Sequence, residues 1–327
     1  MNLTSNPLVS VVITSYTLER LNDTFKLLDG LKSQTYKNFE ILIVVESSKQ
    51  LFDNIGSYIH KIGLTNTNLI FNGGEGGASI SRNTGIKEAK GEIIAFIDDD
   101  AIPFPDWVEM MVGSYSNDNI IGVTGPALPL WEDENDAWFP KELHWILSCT
   151  SWFECNEVVN IRHAWFENAS FKREAFDIAG YLDTTIGPHD NAVGFKQTEI
   201  QNVPIAEDLE ISLRIKEKTG KNIIYNPGVK VWHKADKKRL KIDYIKKWSY
   251  WTGMSKRKLK GLHVQTDKSI LAPEQQLLKR ILTRLFPDIL KSFFIHPVIA
   301  WRKLKVTTTV LFYVCVGYYS PQAHSKS

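Results

Sequence analysis

Residues 92–103 read Glu-Ile-Ile-Ala-Phe-Ile-Asp-Asp-Asp-Ala-Ile-Pro, and the fold follows from how this stretch is read. The apolar run 93–97 has the length and β-character of a strand covered on both faces. Three aspartates follow at once, and Pro103 is expected to end further strand pairing. Carboxylates crowded at the mouth of a buried strand repel one another and raise each other's pKa, so something positive is expected beside them. In extended backbone, side chains two apart point the same way, so Asp98 and Asp100 can share one cation while Asp99 faces elsewhere. Hard oxygen ligands in small number suit Mg2+ or Mn2+ completed by phosphate oxygens. A polar turn has the same composition. The triplet alone does not separate the two readings; its surroundings do.

Upstream, VSVVITSY at 9–16 and FEILIVV at 39–45 are β-branched runs that read as buried strands. Between them Leu21, Phe25, Leu28 and Leu31 recur at helical spacing over 19–34. A weaker helix over 50–62 leads to a short strand, LIF at 69–71, and then to NGGEGGASISRNTGI at 72–86. That glycine-rich loop runs into a helix ending near Ala89, and Gly91 separates the helix from the central strand. It is not a Walker loop, since no G-K-[ST] follows at the required spacing. Alternating strands and helices predict an α/β fold: an open, mainly parallel Rossmann-like sheet with helices on both faces. Ligands of such sheets bind outside the carboxyl ends of the strands, where Tyr16, Glu46 and Asp98 fall.

Beyond Val123 the character changes. VTGPALPL is broken by two prolines, and 131–167 is rich in tryptophan and acid without a clean period. ENASFKREAFDIAGYLD at 167–183 reads as a strand start, a short helix and a turn; 184–203 reads as a long mobile loop, and such loops tend to be functional. Glu207 and Asp208 open a helix that Gly220 closes, and NIIYNPGVKVWH supplies two last strands ending at His233.

Charge divides the chain. Residues 1–233 carry 19 Lys/Arg against 32 Asp/Glu, whereas 234–327 carry 20 against 5. An acidic body followed by a basic segment points to an anionic partner for the latter. Within 234–260 the cations interleave with Tyr244, Trp248, Tyr250 and Trp251, which suits an anionic membrane surface reached through residues 234–319. A solvated basic helix packed on the acidic body has the same pattern. The apolar patch at 306–319 is short of the roughly 20 residues that a spanning helix needs. No nucleic-acid motif accompanies the charge, so no nucleic-acid partner is expected. Three cysteines without a C-x-x-C pair argue against a disulfide framework and for a reducing compartment. The N-terminus has no signal-peptide pattern, so the expected location is the cytoplasmic face of a membrane, peripheral or monotopic.

The order of VSVVITSY, SISRNTGI, the aspartate cluster, ENASFKREAFDIAGYLD, AEDLEISLR and VWH resembles the inverting glycosyltransferases of family 2, which have the GT-A fold. The resemblance covers about residues 7–235. It implies a nucleotide-sugar-binding half at 7–125, an acceptor half at 126–235, and a C-terminal extension at 236–327. It places Thr14, Tyr16 and Glu46 at the nucleotide base, although many relatives carry aspartate where this chain has Glu46. Arg82, Asn83, Asp98 and Asp99 fall to the donor, and Asp98, Asp100 and His233 to a divalent metal, Mn2+ or Mg2+. Asn168, Ser170 and Glu207 fall to the acceptor, and Asp208 is the catalytic base. The implied donor is a UDP-sugar. Tails of the WxxWTG type, here Trp248 to Gly253, occur in relatives that extend lipid-linked glycans, so the implied acceptor is a hydroxyl of a polyprenyl- or dolichyl-phosphate-linked glycan. Transfer straight onto a polyprenyl phosphate and a catalytically silent nucleotide-sugar-binding scaffold are the competing expectations.

Overall fold

The computed structural model describes residues 3–73, 76–184, 207–263 and 272–320, so the loop expected at 184–203 lies outside the described residues from 185 on. The chain forms two compact units, residues 1–127 with 155–233, and residues 128–154 with 234–327.

The first unit is built on an eight-stranded sheet. Its centre is supplied by the three runs richest in β-branched residues: β1 (Val9–Ser15), β2 (Phe39–Val45) and β4 (Ile93–Ile97). Each is buried over nearly its whole length, as expected for strands covered on both faces. With β3 (Thr67–Phe71) they run parallel in the order β3-β2-β1-β4, Val9 lying opposite both Phe39 and Ile93. The crossovers are α1 (Leu21–Lys32), α2 (Lys49–Ile62) and α3 (Ala78–Glu88). The Ser48 hydroxyl caps α2 by accepting the Leu51 N–H, and Gly63 ends the helix at φ 66°. Helix α3 lies close on the sheet at Gly85, where a Cβ would meet Val12 Cγ1 at 2.4 Å.

The second half of the sheet is mixed. Strand β9 (Asn168–Lys172) inserts antiparallel between β4 and β6 (Ile120–Thr124). Beyond β6 lie β10 (Asn222–Tyr225), parallel, and β8 (Val159–Ile161), antiparallel at the edge. The short strand β5 (Ala101–Pro103) pairs antiparallel with β11 (Val231–Ala235). Pro103 therefore does not end pairing as expected. It sits opposite Val231, and the Phe104 N–H still reaches the Lys230 carbonyl at 3.1 Å. Helices α4 (Trp107–Ser114), α5 (Arg173–Ala179) and α6 (Glu207–Thr219) complete this unit, and β7 (Ala127–Trp131) follows β6 in the chain.

All of β9 is buried, and its polar side chains are bonded within the unit. Asn168 accepts the Trp107 indole N–H at 2.7 Å and donates to the Val229 carbonyl at 2.7 Å and the Pro126 carbonyl at 3.3 Å. The Ser170 hydroxyl is 2.8 Å from that of Tyr115. Both residues, expected at the acceptor, have no solvent exposure in this structure, where they tie β9 to its neighbours. Asn168→Ala should lower stability by about 2–4 kcal/mol, because buried donors and acceptors lose their partners; urea unfolding measures this.

In the second unit, α7 (Ile242–His263), α8 (Ala272–Arg280), a π-helical turn (Ile281–Leu285), α9 (Phe286–Ile295) and α10 (Pro297–Tyr319) enclose a separate core. Phe139, Leu143 and Ile146 from the aromatic stretch join Ile245, Ile281, Leu285, Val306 and Val310 there. Helices α7 and α10 meet at two glycines. A Cβ on Gly317 would lie 1.9 Å from the Tyr250 carbonyl oxygen, and one on Gly253 would lie 2.1 Å from that of Val314. Backbone cannot yield as a side-chain end does, so Gly317→Ala should force the helices apart. Overpacking of this kind costs about 1–3 kcal/mol, and thermal unfolding of the variant should show it.

Candidate active site

Strand β4 delivers the three aspartates into a turn, closed by the Ala101 N–H bonding the Asp98 carbonyl at 3.1 Å. The chain then pairs with β11, and the register sets His233 opposite Ala101. That register brings together residues more than 130 positions apart. The buried His233 Nε2 lies 3.5 Å from Asp98 Oδ2 and 3.3 Å from Asp100 Oδ1. Asp98 and Asp100 thus converge as expected, through a turn rather than extended backbone.

Asp99 turns the other way. It accepts the Ser15 hydroxyl at 2.7 Å and Arg20 Nη1 at 2.9 Å, while Arg20 Nη2 lies 3.2 Å from Asp100 Oδ2. Arg20 also stands 5.5 Å from the Tyr16 ring. The sequence reading asked for a positive charge beside the triplet and did not name Arg20. The available signal was its place, four residues beyond Tyr16 at the carboxyl end of β1.

Arg82 supplies a second cation from α3. Its Nη1 lies 3.1 Å from Glu207 and its Nη2 3.4 Å from Asp98, with the guanidinium 4.8 Å from the Phe166 ring centre. It therefore joins α3, the aspartate turn and the start of α6. Ser79, Ser81 and Asn83 of α3 are also buried, which is why this helix has no simple apolar stripe. The Ser81 hydroxyl donates to Glu46 Oε1 at 3.1 Å, and Asn83 holds the Leu182 backbone through both its amide groups at 2.9 Å. Glu46, nearly buried, also accepts the Gly77 N–H at 3.1 Å. Glu46 and Asn83, expected at the donor, thus brace the glycine-rich loop and the segment after α5. Thr14 and Tyr16 lie half-buried at the end of β1. Asp208 stands in the first turn of α6 beside Glu207, and its Oδ1 accepts the Leu209 N–H at 2.7 Å.

Burial opposes ionisation of Asp98, but the hydrogen bond from His233 and the charges of Arg82 and Arg20 outweigh it and hold its pKa below the carboxylate range. Burial and neighbouring Asp100 push Asp99 up to about 6 against the pull of Arg20. Half-buried Glu167 is pushed up to about 8 by desolvation and by the negative charges of Asp98 and Asp208, against the pull of His233. Glu167 was noted in the sequence only as a neighbour of Asn168. The structure turns Asn168 into the sheet and leaves Glu167 in the field of the site.

The ligand atoms of Asp98, Asp100 and His233 lie within 4.8 Å of one another, the group of this kind found among the described residues. Two carboxylate oxygens and an imidazole nitrogen fit a divalent cation of the Mn2+ or Mg2+ type. Around them stand two arginines and, at a helix N-terminus, a carboxylate pair.

Residues 10–178, about half of the chain, match the glycosyl transferase family 2 description, and they contain Arg82 and the whole aspartate cluster. The chain belongs to glycosyl transferase family 2. This family-2 transferase is 30% identical over 311 residues to the glucosyl-dolichyl phosphate glucuronosyltransferase of Haloferax volcanii, a match covering 95% of this chain and 94% of the relative. It is 31% identical over 121 residues to glycosyltransferase AglE of the same organism, covering 36% of this chain and 39% of that one. Among solved structures, a mannosyltransferase from Pyrobaculum calidifontis in complex with GDP-mannose and Mn2+ superposes with a TM-score of 0.63 at 16% identity. That superposition covers 97% of this chain and 88% of the other, and it shows the GT-A fold. The protein is therefore a nucleotide-sugar glycosyltransferase.

Proposed function

We propose that the protein is a metal-dependent inverting transferase that passes a sugar from a UDP-sugar to a hydroxyl of a polyprenyl- or dolichyl-phosphate-linked glycan. The observation that carries the acceptor class is the chain-long similarity to a glucosyl-dolichyl phosphate glucuronosyltransferase. What carries the metal is the meeting of Asp98, Asp100 and His233.

In this reading Asp98, Asp100 and His233 hold the cation. A divalent cation held there would supply Lewis-acid charge for a departing diphosphate. Arg20 holds Asp99 and Asp100 in place within the cluster. Arg82 holds Asp98 and Glu207 in one frame, and can turn its remaining donors to diphosphate oxygens. Asp208 takes the proton from the acceptor hydroxyl as that oxygen attacks the anomeric carbon on the face opposite the leaving group. Its place in the first turn of α6 favours its negative charge. Glu207 and Glu167 border the acceptor's approach.

The test is calorimetric titration of purified protein with UDP-glucuronic acid, UDP-glucose and GDP-mannose, in Mn2+ or in EDTA. Transfer assays on a glucosyl-polyprenyl phosphate and on the bare polyprenyl phosphate follow. Saturable binding of one UDP-sugar in Mn2+, with product only from the glycosylated lipid, is the expected result. Product from the bare lipid phosphate would replace the hydroxyl acceptor, and no binding of any nucleotide-sugar would overturn the reading.

A further inference from the structure

The second unit ends in a corner whose chemistry the transfer reaction does not use. Helix α9 stops at His296, and Pro297 opens α10 at once, so the two helices meet in a tight bend. Around that bend Leu290, Phe294, Ile295, Val298 and Trp301 all point into solvent, Phe294 at 91% exposure. They fall within twelve residues of one another across the bend, and exposed apolar groups clustered in this way mark interaction sites. Exposed Lys291, Arg302 and Lys305 flank it. From residue 289 to the end of the sequence there is no Asp or Glu. No helix among the described residues is long and apolar enough to cross a membrane.

The densely basic stretch of α7 is a weaker docking face than its sequence suggests. Lys246 pairs with Asp243, Lys256 pairs with Glu274, Lys247 stands over the Trp251 ring, and Arg257 donates to the Ser320 carbonyl. Those cations are partnered inside the unit. The α9–α10 corner differs: its apolar side chains are largely uncovered among the described residues, and its exposed charge is mainly positive, the one carboxylate beside it, Asp288, being paired with Lys303, and Arg302 also standing 5.9 Å from the Trp138 ring.

We infer that the α9–α10 corner inserts into the interface of an anionic lipid bilayer, as a monotopic anchor that places the transferase on its lipid-linked acceptor. The apolar side chains enter the boundary between headgroups and acyl chains, about 5–10 Å deep for elements of this kind, and the lysines and arginine meet lipid phosphates. A lipid surface fits better than a second copy of the chain, because a two-fold contact through this corner would set Lys291, Arg302 and Lys305 against themselves. The inference narrows the membrane contact from residues 234–319 to about 290–305. It deepens the lipid-linked acceptor reading but stands on the second unit alone.

The test is flotation of the full chain with vesicles of phosphatidylcholine containing about a third phosphatidylglycerol, against pure phosphatidylcholine. Wild type should float with the anionic vesicles. Phe294→Asp with Ile295→Asp should lose at least about tenfold in partitioning, with unchanged thermal unfolding and unchanged nucleotide-sugar binding. Lys246→Gln with Lys247→Gln should float like wild type. Flotation of the Asp double variant at the wild-type level would overturn the inference. So would no flotation of wild type, or a wild-type dimer by light scattering that the double variant converts to monomer. Nucleotide-sugar binding is read on the same samples, so loss of the catalytic reading and loss of the anchor are distinguishable.

Discussion

Asp208→Asn should lower sugar transfer by about 10²–10⁴-fold, the usual contribution of a positioned general base, while nucleotide-sugar affinity stays within about twofold. The asymmetry follows from position. Asp208 lies at the start of α6, where its Oδ1 accepts the N–H of Leu209 in its own helix. Asparagine keeps that acceptor and the shape of the turn, and removes the lone pair that accepts the hydroxyl proton. Donor-side geometry depends instead on Arg82, whose partner in this helix turn is Glu207. Glu207→Gln should therefore behave differently, weakening the hold on Arg82 and raising the donor KM together with lowering kcat. Initial rates over a range of donor and acceptor concentrations separate the two effects. A wild-type rate in Asp208→Asn would remove the base, and would favour an acceptor that is already an anion, such as a lipid phosphate.

The first half of the fold was legible because its signals are local. The runs of β1, β2 and β4 are each long enough to be a strand on their own, and Gly91 separates α3 from β4. The aspartate turn, Arg82, Glu207 and His233 stood out for the same reason, as motif positions, and the structure brings them together. Side-chain direction was less legible. Asn168 and Ser170 sit in a recognisable motif, yet β9 is an interior antiparallel strand in which both faces are covered, so the motif's polar groups bond to Trp107 and Tyr115. Glu46 lies at a strand end as expected, and the Gly77 N–H and Ser81 hydroxyl draw it under the glycine-rich loop. Arg20 escaped notice because a single arginine at a helix start carries no pattern; only the turn of Asp99 toward Ser15 gives it a partner. The tryptophan-rich stretch lacked a period because Phe139, Leu143 and Ile146 serve a core whose other half comes from about a hundred residues later.

Removing the metal or its ligand should abolish donor binding before it affects anything else. EDTA on wild type and Asp100→Ala in Mn2+ should each weaken nucleotide-sugar binding by about 100-fold or more in calorimetry. The diphosphate must approach a turn bearing three carboxylates, and two like unit charges about 4 Å apart repel by about 4 kcal/mol at an effective dielectric constant near 20. Arg20 and Arg82 offset part of that, but both already face protein carboxylates at 2.9–3.4 Å. At about 1.4 kcal/mol per tenfold, an uncompensated remainder of roughly 3 kcal/mol gives the expected loss. The two treatments should not add: EDTA should do little further harm to Asp100→Ala, since the cation it removes is already gone. Full additivity would mean that Asp100 acts by holding Arg20 rather than a metal, and Arg20→Met would then reproduce the Asp100→Ala defect with its response to EDTA intact. If donor binding in wild type is unchanged by EDTA, the three-residue cluster is an ion-paired hinge between β4 and β11, and the arginines alone carry the diphosphate.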